Sequence, residues 1–212
     1  MEIDDLFFDR SADLTITHRK RPHWKQPGKV HFVTWRQADS LAQAHLEQLR
    51  RDRDAWSRNY GEIKLFELPA SVQREYHRLF RVRVEQWLDA GAGSCALEHP
   101  AARGVVRETL LHFEGSRYWL GSFAIAGNHV HLLVVPLPGH DLSRITHSWK
   151  SYTAKEINKM LGRTGQFWQA ESFDHLVRSA AHLERFKHYI EQHVHQGAVV
   201  ERRPLMNAGS GS

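Results

Sequence analysis

The stretch Gly127-Asn128-His129-Val130-His131-Leu132-Leu133-Val134-Val135 reads as a tight turn leading into a β-strand, and its two histidines fall at alternate positions. Side chains at i and i+2 of a strand share one face. His129 and His131 therefore point the same way, while Val130, Leu132 and Val134 face a core on the opposite side. Two neighbouring imidazoles can hold one divalent ion and leave most of its coordination positions open for substrate oxygens and a third protein ligand. That openness suits metal-assisted phosphoryl transfer. With 16 histidines in the chain, a His-x-His pattern also arises by accident, so the pair needs support from elsewhere.

Working outward, Arg117 to Ile125 reads as a strand, joined through Ala126-Gly127-Asn128 to its antiparallel return over His129 to Val135, which Pro136 and Pro138 end. Pro100 opens a helix in which Val105, Val106, Thr109, Leu110 and Phe113 keep a helical period until Gly115. Further upstream, Lys29-Val30-His31-Phe32-Val33-Thr34-Trp35-Arg36 follows Pro27-Gly28 and supplies the first strand. Between these lie a helix from Leu41 to about Trp56, capped by Asp39-Ser40, and a second from Ser71 to Asp89, broken by Gly91-Ala92-Gly93. They are expected to form a helical insertion over about residues 40–95. Downstream come a helix from Leu142 to Leu161 stopped by Gly162, a short strand from Phe173 to Val177, and a last helix from the Ser179 cap to about His193. With the insertion set aside, the order is βαββαβ followed by one extra helix. The expected fold class is α+β, a ferredoxin-like antiparallel sheet. Residues 1–28 read as a basic arm, 29–200 as the catalytic domain and 201–212 as a flexible tail.

The last helix supplies chemistry for the histidine pair. Leu183, Phe186, Ile190 and Val194 form its inward stripe, and His182, Tyr189 and His193 form a second stripe roughly 60 to 90 degrees to one side, at ~100 degrees per residue. Tyr189 and His193, four apart, are surface neighbours. A phenol ordinarily gives up its proton only near pH ~10 and is a weak nucleophile at neutral pH, and a metal that polarises the target phosphate reduces the activation it needs. Tyr152 and Glu156 repeat the spacing on the helix from Leu142, but Tyr152 sits near the packing stripe of Leu142, Ile145, Trp149 and Met160 and ranks second.

Composition bounds the reading. The formal charge is +5, from 29 basic and 24 acidic residues, which favours an anionic partner such as nucleic acid. The single cysteine, Cys95, excludes an internal disulfide framework and a cysteine-rich zinc site, so a reducing cytoplasm is the expected setting. No apolar run approaches the ~20 residues that span a bilayer, and Met1-Glu2-Ile3-Asp4-Asp5 lacks the order of a secretory signal. Gly209-Ser210-Gly211-Ser212 reads as a flexible linker.

Taken together, these residues resemble the HUH single-strand nucleases, and among them the REP-associated tyrosine transposases and the insertion-sequence transposases with one catalytic tyrosine. The resemblance is carried by Phe32-Val33-Thr34-Trp35-Arg36, by Gly127-Asn128-His129-Val130-His131-Leu132-Leu133, by Gly165-Gln166-Phe167-Trp168-Gln169-Ala170-Glu171-Ser172-Phe173-Asp174-His175-Leu176-Val177-Arg178, and by His188-Tyr189-Ile190-Glu191. It covers the chain from about Gly28 to Val200. It implies a ferredoxin-like fold in which His129 and His131 bind Mg²⁺ or Mn²⁺ and a tyrosine attacks a DNA phosphodiester, retaining the 5′-phosphate and releasing a 3′-hydroxyl. The family places an amide ligand four residues after the tyrosine, and that position falls on His193. Here the chain departs from its relatives. They read Tyr-Ile-x-x-Asn-Pro-Val-Lys-x-Gly, whereas Tyr189-Ile190-Glu191-Gln192-His193-Val194-His195-Gln196-Gly197 has one residue fewer before the glycine. The turn before the histidines also reads Ala126-Gly127-Asn128 where relatives usually have Met-Pro-Asn.

The implied function is a metal-dependent endonuclease and strand transferase acting on single-stranded or hairpin DNA, as a monomer or homodimer near the nucleoid. A domesticated DNA-binding protein that has lost cleavage is the alternative. DNA contacts are expected from Arg19, Lys20, Arg21, Arg36, Lys150 and Arg178 on phosphates, with Trp168 as a base-stacking platform.

Overall fold

The computed structural model describes residues 3–9, 11, 15–18, 22–60 and 68–205. Two compact units are present, one formed by residues 39–95 and the other by the remainder of the chain. In chain order the larger unit opens with a single helical turn (Ile3–Leu6), a hairpin of β1 (Thr15–His18) and β2 (Pro22–Lys25), and β3 (His31–Arg36). The smaller unit holds α1 (Gln43–Tyr60), α2 (Ala70–His77) and α3 (Arg83–Asp89), with a π-helical turn over Arg78–Val82 between the last two. The larger unit resumes with α4 (Pro100–His112), β4 (Tyr118–Ile125), β5 (His129–Pro136), α5 (Leu142–Met160), β6 (Phe173–Leu176), α6 (Ala180–Gln192) and β7 (Val199–Glu201).

The main sheet has the order β6-β3-β5-β4-β7, and every neighbouring pair is antiparallel. Its first four members are those of a ferredoxin-like βαββαβ unit, because α4 and α5 each return the chain to a strand one place removed and parallel to the one it left. Alternation along the strands divides the core. Val33, Trp35, Val130, Leu132 and Val134 pack under α4 and α5 with Ala102, Val106, Leu110, Ile145 and Trp149. On the other face Phe32, Leu133 and Val135 meet Leu183, Phe186 and Ile190 of α6. His129 and His131 belong to the α6 face, opposite Val130 and Leu132 as the strand period requires. Register then decides what flanks them. Thr34 lies across from His131, and Arg36 across from His129.

Both ends of the larger unit differ from expectation. Residues 1–28, read as a basic arm, contribute Leu6 and Phe7 to the α6-side core, with backbone hydrogen bonds from Val30 to Leu6 and from Phe8 to Val177. Two adjacent apolar residues are too few to show a period, yet they fill a gap beside α6. Arg19, Lys20 and Arg21 lie outside the described residues. The tail expected from 201 begins inside β7, and Leu205 packs so closely on Gly121 that a Cβ there would sit 2.7 Å from its Cδ2. Arg203 also pairs with Glu114. The smaller unit has its own core of Leu41, Leu49, Phe80 and Leu88, and Arg83 pairs with Asp52.

One buried polar contact ties α4, β4 and α5 together. Tyr118 donates to the Leu110 carbonyl at 2.8 Å and accepts from Trp149 Nε1 at 2.9 Å. Burial pushes the Tyr118 phenol above its ordinary value, so it stays protonated at neutral pH. Tyr118→Phe keeps the ring and strands the indole N–H. We expect a loss of about 1–3 kcal/mol in urea unfolding with the denaturant slope unchanged.

Candidate metal and nucleophile site

β5 and α6 bring three imidazoles together. His129, His131 and His193 are each 1% exposed. One ligand nitrogen from each lies within 4.8 Å of the others. Ring centroids are 4.6 Å apart for His129 and His131, 4.6 Å for His131 and His193, and 5.5 Å for His129 and His193. The strand sets the first two by its period. The third comes from the end of α6, where Ser179 caps the helix by accepting from the His182 amide and so fixes where its last turn falls.

Each imidazole is held through Nδ1. His129 Nδ1 lies 2.7 Å from Asn128 Oδ1, His131 Nδ1 2.7 Å from Thr34 Oγ1, and His193 Nδ1 2.8 Å from the Tyr189 carbonyl oxygen. A carbonyl oxygen only accepts, so His193 Nδ1 and His129 Nδ1 carry protons and the Nε2 lone pairs are the ones available to a ligand. The Thr34 hydroxyl both donates and accepts, and as acceptor from Nδ1 it is compatible with the same tautomer for His131. Neutral imidazoles oriented by second hydrogen bonds are what a metal ligand set requires, so the donor set fits a divalent ion. Thr34 and Asn128 went unassigned in the sequence. The β3–β5 register, once drawn, is the signal that finds Thr34.

Tyr189 is half-buried beside this group, and its hydroxyl lies 3.4 Å from His131 Nε2. Its ring packs edge-on against Phe32 and His131, with centroids at 5.9 and 5.1 Å. Tyr152 is 56% exposed and, with Glu156, lines a cavity of about 490 Å³ that Val105, Phe113 and Trp149 also border. That cavity belongs to the α4 and α5 side of the sheet. Tyr152 and Glu156 are thus separated from the three histidines by the sheet itself.

The expected DNA contacts divide. Arg36, half-buried, stands on the α6 face beside His129, and Arg178 is exposed immediately before the Ser179 cap. Lys150 and Trp168 are corrections. The Lys150 ammonium donates to the carbonyls of Gln169 at 2.7 Å and Ala170 at 2.8 Å and to Ser172 Oγ at 3.1 Å, so it fastens a loop to α5. Trp168 is 4% exposed, donates through Nε1 to Thr153 Oγ1 at 2.9 Å and meets Trp35 edge-on. An enclosed indole offers no face to a base. Lys150→Met is expected to lower stability by about 1–3 kcal/mol, since three acceptors lose a charged donor. The salt dependence of DNA binding should stay unchanged, whereas loss of a phosphate contact would lower its slope by about one.

Residues 108–193 match the IS200-like transposase family. The matched segment runs from α4 to His193 and so contains both strand histidines, Tyr189 and the third imidazole. Over this segment the chain is similar to the IS200-like transposases. No curated protein matches it. Among solved structures, a REP-associated tyrosine transposase bound to a REP hairpin is 13% identical with a TM-score of 0.42, over 85% of this chain and 74% of that one. The IS200-like segment leaves residues 39–95 outside the match. No described helix is long and apolar enough to cross a membrane.

Proposed function

We propose that the chain cuts and rejoins single-stranded DNA, next to a hairpin, through a covalent 5′-phosphotyrosine on Tyr189. The observation that carries this reading is the meeting of the Tyr189 hydroxyl with three buried imidazoles on one sheet face. Tyr189 Oη attacks the phosphorus of a phosphodiester. The new O–P bond forms as the bond to the 3′-oxygen breaks; the phenolic proton passes to solvent, and the departing 3′-oxygen takes up a proton from solvent and leaves as a 3′-hydroxyl. Reversal by another 3′-hydroxyl rejoins the strand, so no nucleotide cofactor is consumed. His129, His131 and His193 would hold a divalent ion, which would supply Lewis-acid stabilisation of the phosphate charge. Arg36, beside His129, adds a fixed positive charge at the same face. Tyr189 and the imidazoles come from one chain, so a monomer suffices for the chemistry.

Incubation of the full chain with Mn²⁺ and single-stranded DNA flanking a hairpin tests this. The expected product is a protein–DNA adduct that survives denaturing electrophoresis, together with a free 3′-hydroxyl end. Free 5′-phosphate ends without attached protein would instead make water the nucleophile. Tight hairpin binding with no cleavage under any divalent ion would identify a domesticated DNA-binding protein.

A further inference from the structure

We propose that the His129–His131–His193 set selects a borderline transition-metal ion, of the zinc, cobalt and nickel class, over magnesium. The inference rests on the reading of these residues as the metal ligands of a DNA-cleaving site, and concerns which ion they choose. Its grounds are the donor atoms and what holds them.

Every protein donor in the cluster is an imidazole nitrogen. Magnesium is a hard cation that favours oxygen, demands near-octahedral geometry and gives up water reluctantly. Imidazole suits zinc, nickel, copper and iron, and affinity for such sites climbs from manganese through cobalt and nickel. Burial sharpens the difference. All three ligands are 1% exposed, so an entering ion exchanges water for whatever the cluster provides. Among the described residues that cluster contains no carboxylate to offset the cost for a hard ion. Partial covalency with nitrogen compensates zinc or cobalt and does little for magnesium.

The hydrogen bonds behind the ring nitrogens add to the preference. Asn128, Thr34 and the Tyr189 carbonyl hold the three Nδ1 atoms at 2.7, 2.7 and 2.8 Å, so three Nε2 lone pairs are presented in fixed directions. Such outer partners change metal affinity about 10–100-fold when removed. Thr34 is therefore a positioning residue for His131. Its methyl and hydroxyl can be separated, because Thr34→Ser keeps the acceptor and Thr34→Val keeps only the shape.

The decisive measurement is ion binding to the metal-free full chain without DNA. Co²⁺ is followed by its visible absorption, and Zn²⁺, Mn²⁺ and Mg²⁺ compete for the site. The double variant His129→Ala/His131→Ala subtracts ions held by other histidines. We expect one site-specific Co²⁺ per chain, displaced by Zn²⁺ and unmoved by about 1000-fold excess Mg²⁺. His193→Asn, which replaces nitrogen by an amide oxygen, should weaken Co²⁺ by at least about tenfold and narrow the gap to Mg²⁺. His193→Gln checks the same substitution should the first variant fold poorly. Thr34→Val should weaken Co²⁺ about tenfold, with Thr34→Ser close to the parent. Displacement of Co²⁺ by equimolar Mg²⁺, or unchanged Co²⁺ affinity in both His193 variants, would overturn the proposal. The two readings separate cleanly. Adduct formation with an unselective site refutes only the ion preference, whereas selective binding with no adduct in any metal refutes only the tyrosine chemistry.

Discussion

Tyr189→Phe is expected to reduce covalent attachment to DNA by at least about 10⁴-fold, the scale seen when a nucleophile is deleted from a catalytic unit. The substitution removes only the hydroxyl that sits 3.4 Å from His131 Nε2. The ring contacts with Phe32 and His131 remain, so the fold should lose less than about 1 kcal/mol, and the exposed edge of a half-buried phenol leaves little polar debt behind. Tyr152→Phe is the matched control. That phenol is 56% exposed on the α5 side, and its loss should leave the adduct at parental level. Phosphotyrosine mapping on a denaturing gel reads both variants with one labelled oligonucleotide. An adduct that survives in Tyr189→Phe and disappears in Tyr152→Phe would mean that the sheet does not keep Tyr152 from the reacting phosphate.

What was legible in the sequence is what local periodicity encodes. The two-residue period of His129 to Val135 placed the histidines on one face and Val130, Leu132 and Val134 on the other, and the helical stripes of α6 put Tyr189 beside the packing face; at the end of the stripe, where α6 stops at Gln192, Val194 is exposed and His193 is the buried residue. Ser179 and Pro100 marked helix starts for local steric and hydrogen-bonding reasons. What escaped depends on partners distant in sequence. Leu6, Phe7 and Leu205 are buried only because α6 and β4 leave room for them. A lysine in water and a lysine clasping three loop acceptors look identical in a sequence, so Lys150 read as a phosphate contact. Trp168 carried the same ambiguity, and its indole is consumed by Thr153 and Trp35. Thr34 lies 97 residues from His131, and only strand register joins them.

His131→Ala should separate DNA binding from DNA cutting more completely than any other single change at the site. His131 is the hub of the cluster, with ring centroids 4.6 Å from both other imidazoles, Nδ1 on Thr34 and Nε2 nearest the Tyr189 hydroxyl. Alanine removes one of the proposed metal ligands and also the neighbour 3.4 Å from the phenol, so adduct formation should fall at least about 10³-fold. Thr34 loses its partner in a site from which water is excluded, at a cost of about 1–3 kcal/mol in unfolding experiments. The phosphate contacts proposed for Arg36 and Arg178 would be untouched, so hairpin affinity measured without metal should change less than about threefold, with the same salt slope. The comparison uses filter binding and adduct yield on one DNA. Affinity falling in step with the adduct would instead make the imidazole cluster part of the DNA-binding surface, because a residue that acts only through a bound ion and an aligned phenol has no route to binding measured in the absence of metal.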